Sequence, residues 1–340
     1  MPAITPQFLH TLESRMQSIM ETEYQRLLSD LWWERVAKRR PSVTKVERLI
    51  WLIDTAKIRR LEAGSMQFED LVSTHKEYES AFAGAGMKLT KEQLEDVHNG
   101  MPGGEGLELA GAWARQIAAQ AAYWPQNQVA AAINAGAAAG SLTYDGKPFF
   151  AADHHVNGLD AGDGSFSNLI TGRPIDASVT LDVALNHLQA VFAAMAAIPM
   201  PNGRDPRKLR PAAIIVPPAL MARAQQLTNA KLLAQAAASG GGGADVEAVI
   251  RNWGIGQPVQ ADELGAAFGG SDTTYYIVGA EAGTSQIGAL MYVDREPFNV
   301  LFHGPATDAE LARQREFQWL TGGRNVVAYG HPYALFRVTA

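Results

Sequence analysis

Leu209-Arg-Pro-Ala-Ala-Ile-Ile-Val-Pro-Pro-Ala-Leu220 is the stretch on which the fold turns. Residues 212–216 form a short unbroken apolar run, the mark of a short buried strand. Pro217 ends the run. Pro218 suits the first turn of a helix over 219–227, because a helix start leaves its first N–H groups without intrahelical acceptors anyway. A Pro- and charge-rich connector, Pro199 to Arg210, precedes the strand and marks a subdomain boundary.

Toward the C-terminus the apolar residues are β-branched and aromatic. Residues 273–278, 289–293 and 298–302 read as strands. Residues 316–320 and 325–329 alternate in hairpin style about a turn at Gly322-Gly323, and Pro332 interrupts the second strand before 335–338 resumes it. Toward the N-terminus helices dominate. Leu181, Ala184, Leu188, Val191 and Met195 trace one amphipathic face behind a Thr180 N-cap. Residues 107–138 give the strongest helical signal, with Pro125 expected to kink or restart the helix. Thr90 and Gln93 are spaced as a capping box. Residues 59–90 read as a long polar hairpin broken by Gly64, Gly84 and Gly86. Residues 6–39 read as a helix stopped by Pro41, with the dense apolar patch Leu31-Trp32-Trp33 near its end. Helices early and strands late predict an α+β fold with a mixed or antiparallel sheet.

The 340 residues are 47% hydrophobic and 19% charged, which allows one large domain or two ordinary ones and excludes a disordered chain. No apolar run is long enough for a membrane-spanning helix, and residues 1–10 do not read as a secretory signal. The absence of cysteine excludes disulfides, thiolate catalysis and Cys-type zinc sites, and fits assembly in a reducing cytoplasm. The net charge of −6 argues against a dedicated nucleic-acid binder. Its distribution is uneven: residues 34–60 carry nine basic side chains against three acidic, and residues 62–96 carry eight acidic against three basic. Such blocks are either two solvated faces or complementary surfaces on neighbouring copies of one subunit.

Chemistry is scarce. Asp153-His154-His155 offers two imidazoles and a carboxylate, and a metal-dependent hydrolase using Asp153 and His155 is the enzymatic alternative. Adjacent residues on an extended chain point to opposite faces, however, so the two imidazoles are badly placed to share an ion. The glycines at 240–243 lack the Gly-Lys-Ser/Thr of a phosphate loop, and no nucleophile elbow or His-Glu-x-x-His is present. No cofactor is expected.

Several stretches, in order, resemble the Mu-like bacteriophage major head subunit family. They are Ile4-Thr-Pro6 before an amphipathic arm, Tyr144-Asp-Gly-Lys-Pro-Phe-Phe150 followed by Asp153-His-His-Val156, the proline within the long helix between Gln120 and Gln126, and the strand–Pro–helix segment 209–220. In that family the loop after the paired aromatics has no catalytic role. The resemblance implies an HK97-type capsid fold: an N-terminal arm at 1–58, an extended loop at 59–98 reaching over a neighbouring subunit, a peripheral domain with its spine helix at 99–205, an axial domain at 206–300, and a return to the peripheral sheet at 301–340. It implies a non-enzymatic shell protein assembled in the host bacterial cytoplasm. Pentamers and hexamers would enclose double-stranded DNA without sequence-specific binding, in company with portal, scaffold or protease and decoration proteins. An encapsulin-like shell enclosing cargo is the alternative of the same fold. Trp32 and Trp33 (a docking arm), Arg59 and Arg60 (the base of the loop), and Lys76, Glu77 and Glu79 are the expected assembly contacts.

Overall fold

The computed structural model describes residues 6–28, 31–52, 73–93, 105–156, 164–201, 205–229, 233–234, 245–246, 255–281, 288–303 and 316–340. Helix α1 (Pro6–Leu28) is followed by a single 3-10 turn at Trp33–Arg35, then β1 (Ala37–Pro41), β2 (Val46–Leu52), β3 (Ser73–Glu79) and β4 (Ala81–Thr90). Helix α2 (Glu105–Ala135) leads to the short strands β5 (His154–His155), β6 (Ser165–Phe166) and β7 (Leu169–Ile170). Helix α3 (Leu181–Ala196), β8 (Leu209–Val216) and α4 (Pro218–Asn229) follow. The chain continues through β9 (Leu233–Ala234), β10 (Asp245–Val246), β11 (Val259–Gln260), β12 (Tyr275–Glu281), β13 (Leu290–His303), β14 (Glu316–Tyr329) and β15 (Leu335–Val338).

Strand β8 lies in a five-stranded sheet of order β11-β8-β12-β15-β7, and its unbroken hydrophobicity has a direct cause. Successive side chains of a strand point to opposite faces. Ile214 and Val216 enter a core with Leu188, Phe192 and Met195 of α3 and Leu220 and Leu227 of α4. Ala213 and Ile215 enter a second core on the other face. Its neighbour β12 divides in the same way, with Tyr275 and Ile277 on the helix side and Tyr276 and Val278 opposite. The expected N-cap is present, Thr180 accepting a hydrogen bond from Val183 N.

The second sheet has four strands in the order β1-β13-β14-β4. One face is covered by α1 and the first half of α2, where Leu12, Met16 and Met20 meet Ala114, Ile117 and Ala121 over Phe317 and Trp319 of β14. The second half of α2 leaves this core. Val129 and Ile133 join Trp33, Phe149, Phe150, Tyr276, Leu290 and Tyr292 in the core that ties the two sheets together. At 1.5 Å per residue α2 spans about 46 Å, and it continues through Pro125. It is thus a shared strut. Both capping-box bonds form: Thr90 N donates to Gln93 Oε1 (3.0 Å), and Gln93 N donates to Thr90 Oγ1 (3.3 Å).

Three expectations are corrected. First, the helix read over 6–39 ends at Leu28, and residues 37–41 form a strand parallel to β13. The apolar Trp32 and Trp33 do not extend the α1 stripe; they turn inward at the 3-10 turn. Second, β3 does not pair with β4. It pairs antiparallel with β2, from Val46 opposite Glu79 to Leu52 opposite Ser73, while β4 pairs with β14. The hairpin therefore begins at residue 46, and residues 53–72 lie outside the described residues.

Third, Gly322 and Gly323 make no turn. They sit inside the 14-residue β14, flanked by β13 and β4. Gly322 is bare because the Phe82 ring lies over it; a Cβ there would come 2.4 Å from Phe82 Cζ. Gly84, directly opposite, is less forgiving, since its Cβ would fall 2.6 Å from the Thr321 carbonyl oxygen, which cannot swing away as a side chain can. Gly84→Ala should therefore destabilise by roughly 1–3 kcal/mol, measured by denaturant unfolding. The chain divides between the two sheets in an interleaved way. Helix α3 packs on the five-stranded sheet, β13 belongs to the four-stranded one, and the final strand β15 pairs with β12 and β7.

Candidate assembly surfaces

The β2–β3 hairpin is anchored to its own subunit. Leu49 and Trp51 are buried against Met291 and Ala328, with Tyr78 and Tyr144 packed at the edge. The Trp51 and Tyr144 rings are 6.0 Å apart, and Tyr78 Oη donates to the Tyr329 carbonyl at 3.3 Å. Lys76 Nζ donates to the Leu142 carbonyl, and burial holds its pKa below the ordinary lysine value.

The charges of the hairpin are satisfied at home too. Glu77 pairs with Arg48, Glu79 with Lys45 at 2.5 Å, and Glu47 with Arg40 at 3.0 Å. The basic block around 40–48 and the acidic residues 77 and 79 thus neutralise each other across two strands of one chain. Exposed pairs of this kind contribute little to stability, on the order of 0–1 kcal/mol each, but they remove Glu77 and Glu79 from the pool of uncompensated charge. Trp32 and Trp33 are likewise not a docking arm: they are 5% and 1% exposed, inside the core between the sheets, and Trp33 lies 5.2 Å from Tyr292. Arg59 and Arg60 lie outside the described residues.

Among the described residues, one uncovered face is apolar. The outer face of the four-stranded sheet carries Leu301 directly opposite Leu320, with Phe82 over Gly322 two residues along; they are 58%, 44% and 68% exposed. The opposite face of the same strands buries Phe317 and Trp319. On the hairpin, Val46 and Ile50 are exposed on the face away from Leu49 and Trp51. Sequence reading missed this strip, because Leu301, Leu320 and Phe82 come from three strands and no local pattern joins them.

The Asp153-His154-His155 segment is a structural knot. His154 is fully buried and stacks on Phe166 at 5.2 Å. Its Nδ1 is 2.7 Å from Asp145 Oδ2, and its Nε2 is 3.1 Å from the Phe149 carbonyl oxygen, so both nitrogens are occupied and neither can ligate a metal. Asp145 also accepts from Thr143 Oγ1 and from the backbone N–H groups of Lys147 and His155. Burial raises the Asp145 pKa, but the bonds from His154, Thr143 and Lys147 outweigh it and hold the carboxyl below its ordinary value. Asp153 faces solvent and pairs with Lys147 at 2.5 Å. Among the described residues no three His, Cys, Asp or Glu side chains converge as a metal site. The hydrolase alternative loses its geometry: Asp153 is committed outward, while His155 Nδ1 is buried without a partner.

Comparison with known proteins agrees with this arrangement. Residues 12–184 match the family model described as Mu-like prophage major head subunit gpT. Among solved structures, the chain is similar to the capsid of cyanophage P-SCSP1u, with 12% identity over 91% of this chain and 88% of that one (TM-score 0.52). It is similar to the mature capsid of bacteriophage PhiM1, with 11% identity over 91% and 86% (TM-score 0.52). It is also similar to a phage-related protein from Bordetella bronchiseptica RB50, with 11% identity over 95% and 96% (TM-score 0.51). No curated protein sequence matches. The chain belongs to the Mu-like prophage major head subunit gpT family: it is a major capsid protein of HK97-type fold, a structural subunit that associates with its own copies in the virion shell.

Proposed function

We propose that copies of this chain form pentamers and hexamers that close into an icosahedral head around double-stranded DNA, with no catalytic step of their own. In this reading α1 and its flanks are the N-terminal arm and the β2–β3 hairpin starts the extended loop. Helix α2 and the four-stranded sheet make the peripheral domain, and the five-stranded sheet with α3 and α4 makes the axial domain. Portal, scaffold or protease and decoration proteins complete the particle, and assembly takes place in the host cytoplasm. DNA is enclosed without sequence-specific contacts; a chain of net charge −6 does not hold phosphates by counterion release.

The observation that carries the reading is the uncovered strip of Phe82, Leu301 and Leu320 on a subunit whose other large apolar side chains are mostly packed away. Contiguous exposed apolar surface marks an interaction site, and obligate interfaces bury about 2,000 Å2 or more of largely apolar surface. Negative-stain electron microscopy of the protein, expressed alone and with its neighbouring phage genes, should show closed shells or five- and six-fold rings. A persistent monomer under both conditions would overturn the proposal.

A further inference from the structure

A cleft of about 730 Å3 opens between the second half of α2 and residues 260–268, apart from the sheet face and the hairpin. Trp32, Tyr123, Asn127, Asp262, Glu263 and Phe268 line it. Glu263 accepts hydrogen bonds from two neutral donors, Gln126 Nε2 at 2.7 Å and Trp32 Nε1 at 3.0 Å. Asp262 accepts from Gln260 Nε2 at 2.7 Å. Neither carboxylate has a cationic partner among the described residues, and no Lys, Arg or His lines the cleft. Two formal negative charges thus face a hollow large enough for side chains, and Phe268 beside them is 67% exposed.

This chemistry selects a cation carrying several N–H donors. A guanidinium can bond carboxylates in a planar fork and stack on an aromatic face at once. A nucleic-acid phosphate would be repelled. A bare metal ion would find two carboxylates and no third His, Cys, Asp or Glu ligand among the described residues. Of the two dense basic stretches by the hairpin, Lys38-Arg39-Arg40 already has Arg39 paired with Asp294 and Arg40 with Glu47. The other is Lys57-Ile-Arg-Arg60, three cations in four residues, outside the described residues. The hairpin's own acids are not free to receive it, since Glu77 and Glu79 are paired with Arg48 and Lys45 within the chain.

We propose that this cleft receives the basic segment Lys57–Arg60 of a second copy of the chain, with Arg59 and Arg60 meeting Asp262 and Glu263. The inference rests on the shell reading above and adds to it a contact and a register between copies. Each such contact is modest, but closure of a shell repeats it at every subunit, which makes assembly sensitive to it.

The test is a charge swap in the full-length chain, with assembled and free protein separated by sedimentation at about 50 mM NaCl, where screening is weak. Asp262 is exposed, so Asp262→Lys leaves the core untouched. It should lower the yield of shells at least ten-fold. Adding Arg59→Glu and Arg60→Glu to the same chain should restore at least half of the wild-type yield. Wild-type yield from Asp262→Lys alone overturns the inference, as does a combined variant that recovers nothing; the latter would be the result if the cleft held another protein's basic segment. Failure of the shell reading is distinguishable, because the wild-type chain would then give no shells before any variant is compared.

Discussion

Asp145→Ala should cost at least about 3 kcal/mol, because each buried donor left without an acceptor costs roughly 1–3 kcal/mol. The side chains of Asp145 and His154 are both fully inaccessible, and four donors converge on the one carboxylate. The substitution leaves His154 Nδ1 and two backbone N–H groups without acceptors and the Thr143 hydroxyl with only the Lys147 carbonyl, in a site with no water access, which is costlier than the loss of the bonds themselves. Denaturant unfolding of the soluble subunit measures it. Asp145→Asn, which keeps shape and one acceptor oxygen, should fall between wild type and alanine.

The same site predicts an acid dependence of definite sign. The Asp145 pKa lies below its ordinary 3.8 in the folded chain. Its stabilisation is therefore complete above about 4 and is lost as pH falls through the folded value, because the unfolded carboxyl takes up its proton first. His331 acts in a higher window. Burial, together with Arg207 and Lys38, lowers its pKa to about 3. The unfolded chain gains that proton from pH 6.5 downward, so stability already declines there. The Asp145 contribution is read as the wild-type minus Asp145→Asn difference. That difference should shrink as pH falls below about 4. A difference that is flat across the acid range would refute the role of the ionised Asp145 carboxylate.

How much of this was legible in the sequence depends on how local the cause is. Thr180 and the Thr90–Gln93 box are local: a side chain bonds a backbone group three residues away, and spacing alone announces it. Strand β8 is nearly as local, since an apolar run between prolines has few other uses. The failures were all decided by distant partners. Gly322-Gly323 has the composition of a turn, and only Phe82, some 240 residues earlier in the chain, explains why glycine is needed within a strand. Trp32 and Trp33 looked like a sticky arm because nothing nearby could bury them; their partners are Val129, Ile133 and Tyr292. The acidic cleft gave no signal at all. Glu263 meets Trp32 across 231 residues and Gln126 across 137, and no motif joins them.

The tip of the hairpin offers the sharpest separation of folding from assembly. Leu52 and Ser73 face each other at the end of the β2–β3 ladder, so a two-residue Asn-Gly turn can replace residues 53–72 without disturbing either strand. The hairpin base should survive, because Leu49, Trp51 and Tyr78 hold it to the subunit's own sheet. A deletion extending into residues 81–88 would be uninformative, since it removes β4 from the four-stranded sheet and unfolds the subunit for an unrelated reason. The shortened chain should stay soluble, with its midpoint of thermal unfolding within a few degrees of wild type, a change of less than about 1 kcal/mol. It should form no closed shells, because the segment proposed to reach a second copy, Arg59 and Arg60 included, is gone. Normal shells from this chain would mean that the hairpin is only a surface ornament and that the apolar strip of Phe82, Leu301 and Leu320 suffices for closure. An unfolded product would mean that residues 53–72 contribute to the subunit's own core, contrary to an anchor made by Leu49 and Trp51.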